Sequence, residues 1–316
     1  MMKEPQLSIP QVSEARELLY FWAIGDLHYY AADTWYTFHS QRLSALYRDL
    51  RSLWSREGTP AFCVSPGDIV ETGALENYQL AKRELSALLG AIPFYPGIGN
   101  HELWIPGEDE EKESLIRDFT TFWGKPAHYY WTEDSVLCIM LDAIGYPEPH
   151  FREETLAFLK TALAKHPQHI AVIFSHCPLY NTVQDRDIQT RRDYHSLDPF
   201  FFIQNTDEVY AILERHKTGS LYISGHTHSG WQAPNLVYIR QIGSHHLTCV
   251  NLMSPWYTGL GKGASARDDS TAFSYQADEP DLVISFAFHI YRDHARISLR
   301  DHREQRWLTQ WEVPLT

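Results

Sequence analysis

Cysteine is scarce in this chain: Cys63, Cys138, Cys177 and Cys249 are the only four in 316 residues. None stands at CxxC spacing, which excludes a disulfide scaffold and a zinc knuckle. Buried free thiols of a reducing compartment are expected instead. Positive charge is also in short supply. Twenty-seven basic residues stand against 40 acidic ones, a formal net charge of −13. That argues against an extended nucleic-acid surface, which needs a basic face. No apolar run approaches the ~20 residues of a membrane span, so no membrane partner is expected. The opening MMKEPQLSIPQVSEAREL lacks the charged start and apolar stretch of a secretory signal, and a cytoplasmic location is the expectation. Repeats, low-complexity tracts and linker-like boundaries are missing too, so residues 1–316 are read as one domain. The chain is long enough to bury a core without staples.

What is present alternates. Apolar runs at 20–26, 61–68 and 92–102 read as strands. Between them, 40–58 and 74–90 carry leucines at helical spacing and stop at Gly58 and Gly90. This order predicts parallel βαβ units. The acidic stretch 107–114 reads as a solvated loop or a helix start. A strand pair over 128–143, helices over 151–167 and 206–219, and strands at 169–179 and 220–230 follow. The last third is rich in strand patterns, which predicts a mixed sheet or two packed sheets.

Histidine is abundant, at 17, and several sit where an apolar strand ends. Five strands end in polar groups that bind metals: Gly25-Asp26-Leu27-His28, Gly67-Asp68, Gly99-Asn100-His101, Ser175-His176 and Gly225-His226-Thr227-His228. Ligands of open α/β sheets bind beyond the carboxyl ends of strands, so these ends are expected to converge. Imidazole nitrogens with carboxylate and amide oxygens suit transition metals. A Gly-Asp pair alone is an ordinary turn, and a lone strand-end histidine is more often a hydrogen-bonded core group. Five in this order are specific.

GDLH, GDIVE, GNHE, SHCP and GHTH, spread over about residues 21–230, resemble the motif series of the calcineurin-like metallophosphoesterases. The resemblance implies an α/β fold, a four-layer α/β/β/α sandwich of two mixed sheets. It also implies that C-terminal strands over 236–316 complete the second sheet. It implies two metal ions, Mn, Fe or Zn. One would be held by Asp26, His28 and His228, the other by Asn100, His176 and His226, with Asp68 bridging both. Two cations ~3.5–4 Å apart repel, and a shared carboxylate offsets that charge. A metal-activated hydroxide would attack phosphorus, and His101 would protonate the leaving oxygen as general acid. This sequence has Glu71 and Glu102 where the family often has aspartate, and each either orients a histidine from behind or lies in an ordinary solvated loop.

Substrate choice is less legible. The segment 178–206 is long for a loop in a compact domain, and it carries Arg186, Arg191, Arg192 and His195. Arg191, Arg192 and His195 are the candidates for holding a phosphate or carboxylate. Tyr29, Tyr30, Trp35, Tyr36, Trp104 and Trp231 follow the motifs and suit a planar group, although large rings also pack rims without function. The expected activity is hydrolysis of a small, nucleotide-like phosphodiester. Phosphomonoester or phosphoprotein hydrolysis is the second reading, and a non-catalytic metal-binding scaffold the third. Oligomeric state is open.

Overall fold

The computed structural model describes residues 16–107, 111–145, 147–183, 199–229, 235–255 and 282–316, without the side chains of 33–39. Its order is β1 (Leu19–Ala23), α1 (Asp33–Glu57), β2 (Cys63–Ser65), α2 (Leu75–Leu89), β3 (Phe94–Pro96), α3 (Lys112–Trp123), β4 (Tyr129–Glu133) and β5 (Val136–Met140). Then come α4 (Glu153–Lys165), β6 (Ile170–Phe174), α5 (Thr206–Leu213), β7 (Ser220–Ser224), β8 (Val237–Ile242), β9 (His245–Asn251), β10 (Ile284–Ile290), β11 (His294–Asp301) and β12 (Arg306–Pro314). The strands form two six-stranded mixed sheets, ordered β12-β11-β10-β1-β2-β3 and β4-β5-β6-β7-β9-β8. β1, β2 and β3 run parallel, as do β5, β6, β7 and β9.

Nearly every residue of the central strands is apolar because both faces of each sheet are covered. Successive side chains alternate between faces. Phe21, Ala23, Val64, Phe286 and Phe288 point into a core shared with Cys138, Met140, Phe174 and Ile223 of the other sheet. There Phe21 stacks on Phe62 and Phe288 at 5.0 and 4.7 Å and meets Phe174 edge-on at 5.7 Å. Trp22, Cys63 and Ala287 face the other way, onto Leu43, Leu46, Leu50 and Leu85 of α1 and α2. On the second sheet, Leu137, Ile139, Ile173 and Tyr222 meet Leu159, Val209 and Leu213 of α4 and α5. Three apolar layers between four layers of structure give the α/β/β/α sandwich. All four cysteines are buried free thiols. Among the described residues no helix is long and apolar enough to cross a membrane.

Several sequence expectations are corrected. Only β8 and β9 of the last third lie in the second sheet; β10, β11 and β12 extend the first. β10 pairs antiparallel with β1, which puts Phe286 and Phe288 on the inner face beside Phe21 and buries Ala287 under the helices. α1 begins at Asp33, ahead of its clearest leucine periodicity, and α5 ends at Leu213. After α5 the chain turns, with His216 Nε2 and the Thr218 hydroxyl both directed at the His169 carbonyl, at 2.8 and 2.6 Å. The acidic stretch leads into α3, with Glu111 at its cap and Glu113 in its first turn.

A buried ion pair fastens α1 to the first sheet. Arg300 grips Asp49 with two hydrogen bonds of 2.6 and 2.9 Å, and His302 Nδ1 stands 2.8 Å from the same carboxylate. Burial opposes the charge on Asp49, but Arg300 and His302 prevail and lower its pKa to about 2. A carboxylate with a depressed folded pKa contributes stability above its unfolded pKa of 3.8 and loses it as pH falls through about 2. Asp49→Asn is expected to cost ~3–5 kcal/mol at neutral pH, because it strands the buried guanidinium. Urea melts at pH 7 and near pH 2 should show the gap between variant and parent narrowing in acid.

Candidate metal centre

The parallel strands aim their carboxyl ends at one edge of the sandwich, and the loops beyond them are cross-tied. His28 and Tyr29 donate their amides to the carbonyls of Asp68 and Ile69, both at 2.9 Å. Gly225 donates to the His176 carbonyl at 2.9 Å. A bond between the sheets closes the set: the His226 amide donates to Asp26 Oδ1 at 2.9 Å. Five of these residues hold positive φ, namely Asp26 (50°), His28 (47°), Asp68 (50°), His226 (71°) and His228 (48°). Non-glycine residues in the left-handed region carry strain, which persists where the surroundings fix it and clusters at functional sites. Close approach explains two of the glycines. A Cβ on Gly99 would overlap the Asp68 carboxylate, and one on Gly225 would overlap that of Asp26.

Three groups of donors result; Asp68 belongs to two of them, and His28, Glu71 and His101 form the third. Asp26, His28, Asp68 and His228 offer atoms all within 4.8 Å of one another, as do Asp68, His176 and His226. His28 Nε2 lies 3.1 Å from His228 Nε2, and His176 Nε2 lies 3.1 Å from His226 Nδ1. Two nitrogens that each stand ~2.0–2.1 Å from one ion are about 2.9–3.4 Å apart, so the spacing fits shared ions. His176 Nε2 is also 3.1 Å from Asn100 Oδ1 and 3.1 Å from Asp68 Oδ2. Asp26 Oδ2 is buried with no hydrogen-bond partner, a donor that a cation would satisfy. Burial alone would raise the Asp68 carboxyl, but the facing imidazoles of His176 and His101 hold it well below the ordinary range. In turn, although burial disfavours its charge, His176 is raised to about 9 by Asp68 and Asp26.

Supporting contacts set the tautomers. His28 Nδ1 donates to Glu71 Oε2 at 2.9 Å, which leaves its Nε2 lone pair facing the cluster. His226 Nε2 donates to the Phe200 carbonyl at 3.2 Å, which frees Nδ1 in the same way. His101 Nδ1 must donate to the Glu71 carbonyl, 2.6 Å away, because a carbonyl only accepts. Its Nε2 then points toward the centre, 4.0 Å from Asp68 Oδ2, and its side chain is 15% exposed. Glu71 thus holds a histidine through its side chain.

Glu102 does not. Fully buried, it accepts four backbone amides: Asp68 at 2.9 Å, Ile69 at 2.7 Å, Val70 at 3.0 Å and Gly99 at 2.6 Å. Its task is to shape the Asp68 loop and join it to the Gly99 turn. Burial and the nearby Asp68 raise its pKa to about 7. The sequence reading also missed Phe200 and Phe201, whose rings pack on His226 at centroid distances of 5.3 and 5.1 Å. The run Pro199-Phe200-Phe201-Phe202 was the available signal. Arg186, Arg191, Arg192, His195 and Trp231 lie outside the described residues, as do the side chains of Trp35 and Tyr36.

Residues 19–230 match the family model of the calcineurin-like phosphoesterases. The chain belongs to that family. This phosphoesterase is therefore a metal-dependent phosphoester hydrolase of a binuclear type, with donor clusters in place for the ions. No curated protein sequence matches it. Among solved structures it is similar to a dimetal phosphatase from Danio rerio, at 16% identity over 95% of this chain and 100% of that one, with a TM-score of 0.62. A purple acid phosphatase from yellow lupin (Lupinus luteus) seeds shares 11% identity over 94% of this chain and 53% of its own, with a TM-score of 0.60. At these identities the likeness speaks for the fold.

Proposed function

We propose that this phosphoesterase hydrolyses a small, nucleotide-like phosphodiester at a centre of two ions bridged by Asp68. The observation that carries the reading is Asp68 shared between two donor clusters, with partly exposed His101 beside them. Asp26, His28 and His228 would hold one ion, and Asn100, His176 and His226 the other. Mn, Fe and Zn all accept this mixture of nitrogen and oxygen donors. Bound there, the ions supply positive charge for the phosphoryl oxygens and lower the pKa of water to near neutrality. The chain does the rest. Glu71 fixes His28 and, through its carbonyl, His101. His101 directs Nε2 inward, where a proton on it reaches the leaving oxygen. Asn100 contributes a neutral oxygen, which keeps the centre cationic enough to attract a phosphate.

The diester preference is supported by the rim. Trp104 is 45% exposed and stands edge-on to His101, with centroids 6.1 Å apart. Across the centre, Phe200 and Phe201 cover His226. Rings on both sides suit a substrate with a planar group at the scissile phosphate. Arg191, Arg192 and His195 are proposed to hold a further anionic group. Their segment starts and returns beside the centre, where Leu179 bridges Ile203 and the Tyr180 amide donates to the Thr206 hydroxyl at 3.0 Å.

Hydrolysis of bis-p-nitrophenyl phosphate and of p-nitrophenyl phosphate, on Mn2+-loaded and chelator-stripped protein, tests the reading. Metal-dependent turnover that favours the diester is expected. Preference for the monoester overturns the diester assignment, and no turnover with two ions bound overturns the catalytic one.

A further inference from the structure

We propose a second binding site, for a small amphipathic carboxylate, between the C-terminal ends of α4 and α5. A cleft of about 280 Å3 opens there over Leu163, Ala164, Pro167, Ala211 and Ile212. Lys160, Arg215 and Lys217 also line it. Its size is close to the lower end of small-ligand pockets, and its floor is apolar, as theirs are. In a chain of net charge −13 these three exposed cations stand out, because no described carboxylate pairs with any of them. Arg215 and Lys217 follow the end of α5, where positive charge complements the helix dipole, but that does not account for Lys160 in the middle of α4 or for an apolar cleft between the three. An apolar body on the floor with a carboxylate at the cationic rim satisfies both.

The site is remote from the metal centre. α4 and α5 end where β6 and β7 begin, whereas the donors His176 and His226 follow the far ends of those strands. The cleft and the metal centre therefore share no residue.

Calorimetric titration of the full chain with decanoate tests the proposal, with decanol as the uncharged control. Decanoate is expected to bind in the sub-millimolar range and more tightly than decanol. The triple variant Lys160→Ala/Arg215→Ala/Lys217→Ala should raise its Kd about tenfold or more. Ala211→Trp, at an exposed position, should fill the cleft and abolish binding, and phosphodiester turnover in both variants should stay at the parent rate. No binding at about 1 mM, or undiminished affinity in both variants, overturns the site without bearing on the metal centre.

Discussion

Replacing His101 by Asn is expected to lower kcat/KM by ~10²–10⁴-fold while two ions stay bound, in keeping with removal of a general acid. The asymmetry follows from the geometry. His101 is outside both Asp68-sharing donor groups, and its Nδ1 is committed to the Glu71 carbonyl. Nε2 is the nitrogen that faces the centre. A general acid matters most when the leaving oxygen is strongly basic. The deficit should therefore be large for an alkyl ester and shrink for a p-nitrophenyl ester, whose leaving group needs little protonation. Metal content by elemental analysis, with kcat/KM across a series of leaving groups, separates the roles. A deficit equal for all leaving groups would point to positioning, and an unchanged rate would remove His101 from catalysis.

Glu102→Ala should be the most damaging substitution for stability. The side chain answers four buried amides from two loops, and alanine would leave all four unanswered. Each unsatisfied buried group costs ~1–3 kcal/mol, although water entering the gap would recover part of the sum. A net loss of ~4 kcal/mol or more is expected, set against a typical total of ~5–15 kcal/mol. Glu102→Gln keeps one acceptor oxygen but turns an NH2 toward other amides, so it should fall between. Urea midpoints give the order; a midpoint for Glu102→Ala equal to the parent's would contradict the assigned role. Metal affinity should fall with it, because the loop that carries Asp68 loses its frame.

The strand ends were legible because the chemistry there is local. An apolar run ending in Gly-Asp or Gly-His states the strand, the turn and the donor within a few residues, and parallel topology brings those ends together. Glu102 was half legible: its place was evident, but backbone amides carry no side-chain identity, so nothing in the sequence distinguishes four amides from one imidazole as its partners. The sheet membership of β10 was hidden by non-locality. Ile284–Ile290 reads equally well as a strand of either sheet, and pairing is decided by Phe286 and Phe288 stacking with Phe21, far away in sequence. Phe200 and Phe201 were overlooked because an aromatic run suggests core, whereas these rings abut a metal-type histidine.

That distant pairing has a bearing on biogenesis. β1 lies at the centre of its sheet, between β2 and β10, yet its register with β10 matches Leu19 to Ile290 and Ala23 to Phe286. During synthesis the strand that leads into Asp26 and His28 has an open edge until residues 284–290 leave the ribosome. Closing so long a loop comes late and slows folding. Until then Phe21 is half covered and the edge can pair with other chains. The centre is thus assembled only once residues 284–290 have been made, and a nascent chain halted after the GHTH motif would hold every proposed donor without the frame that sets their spacing.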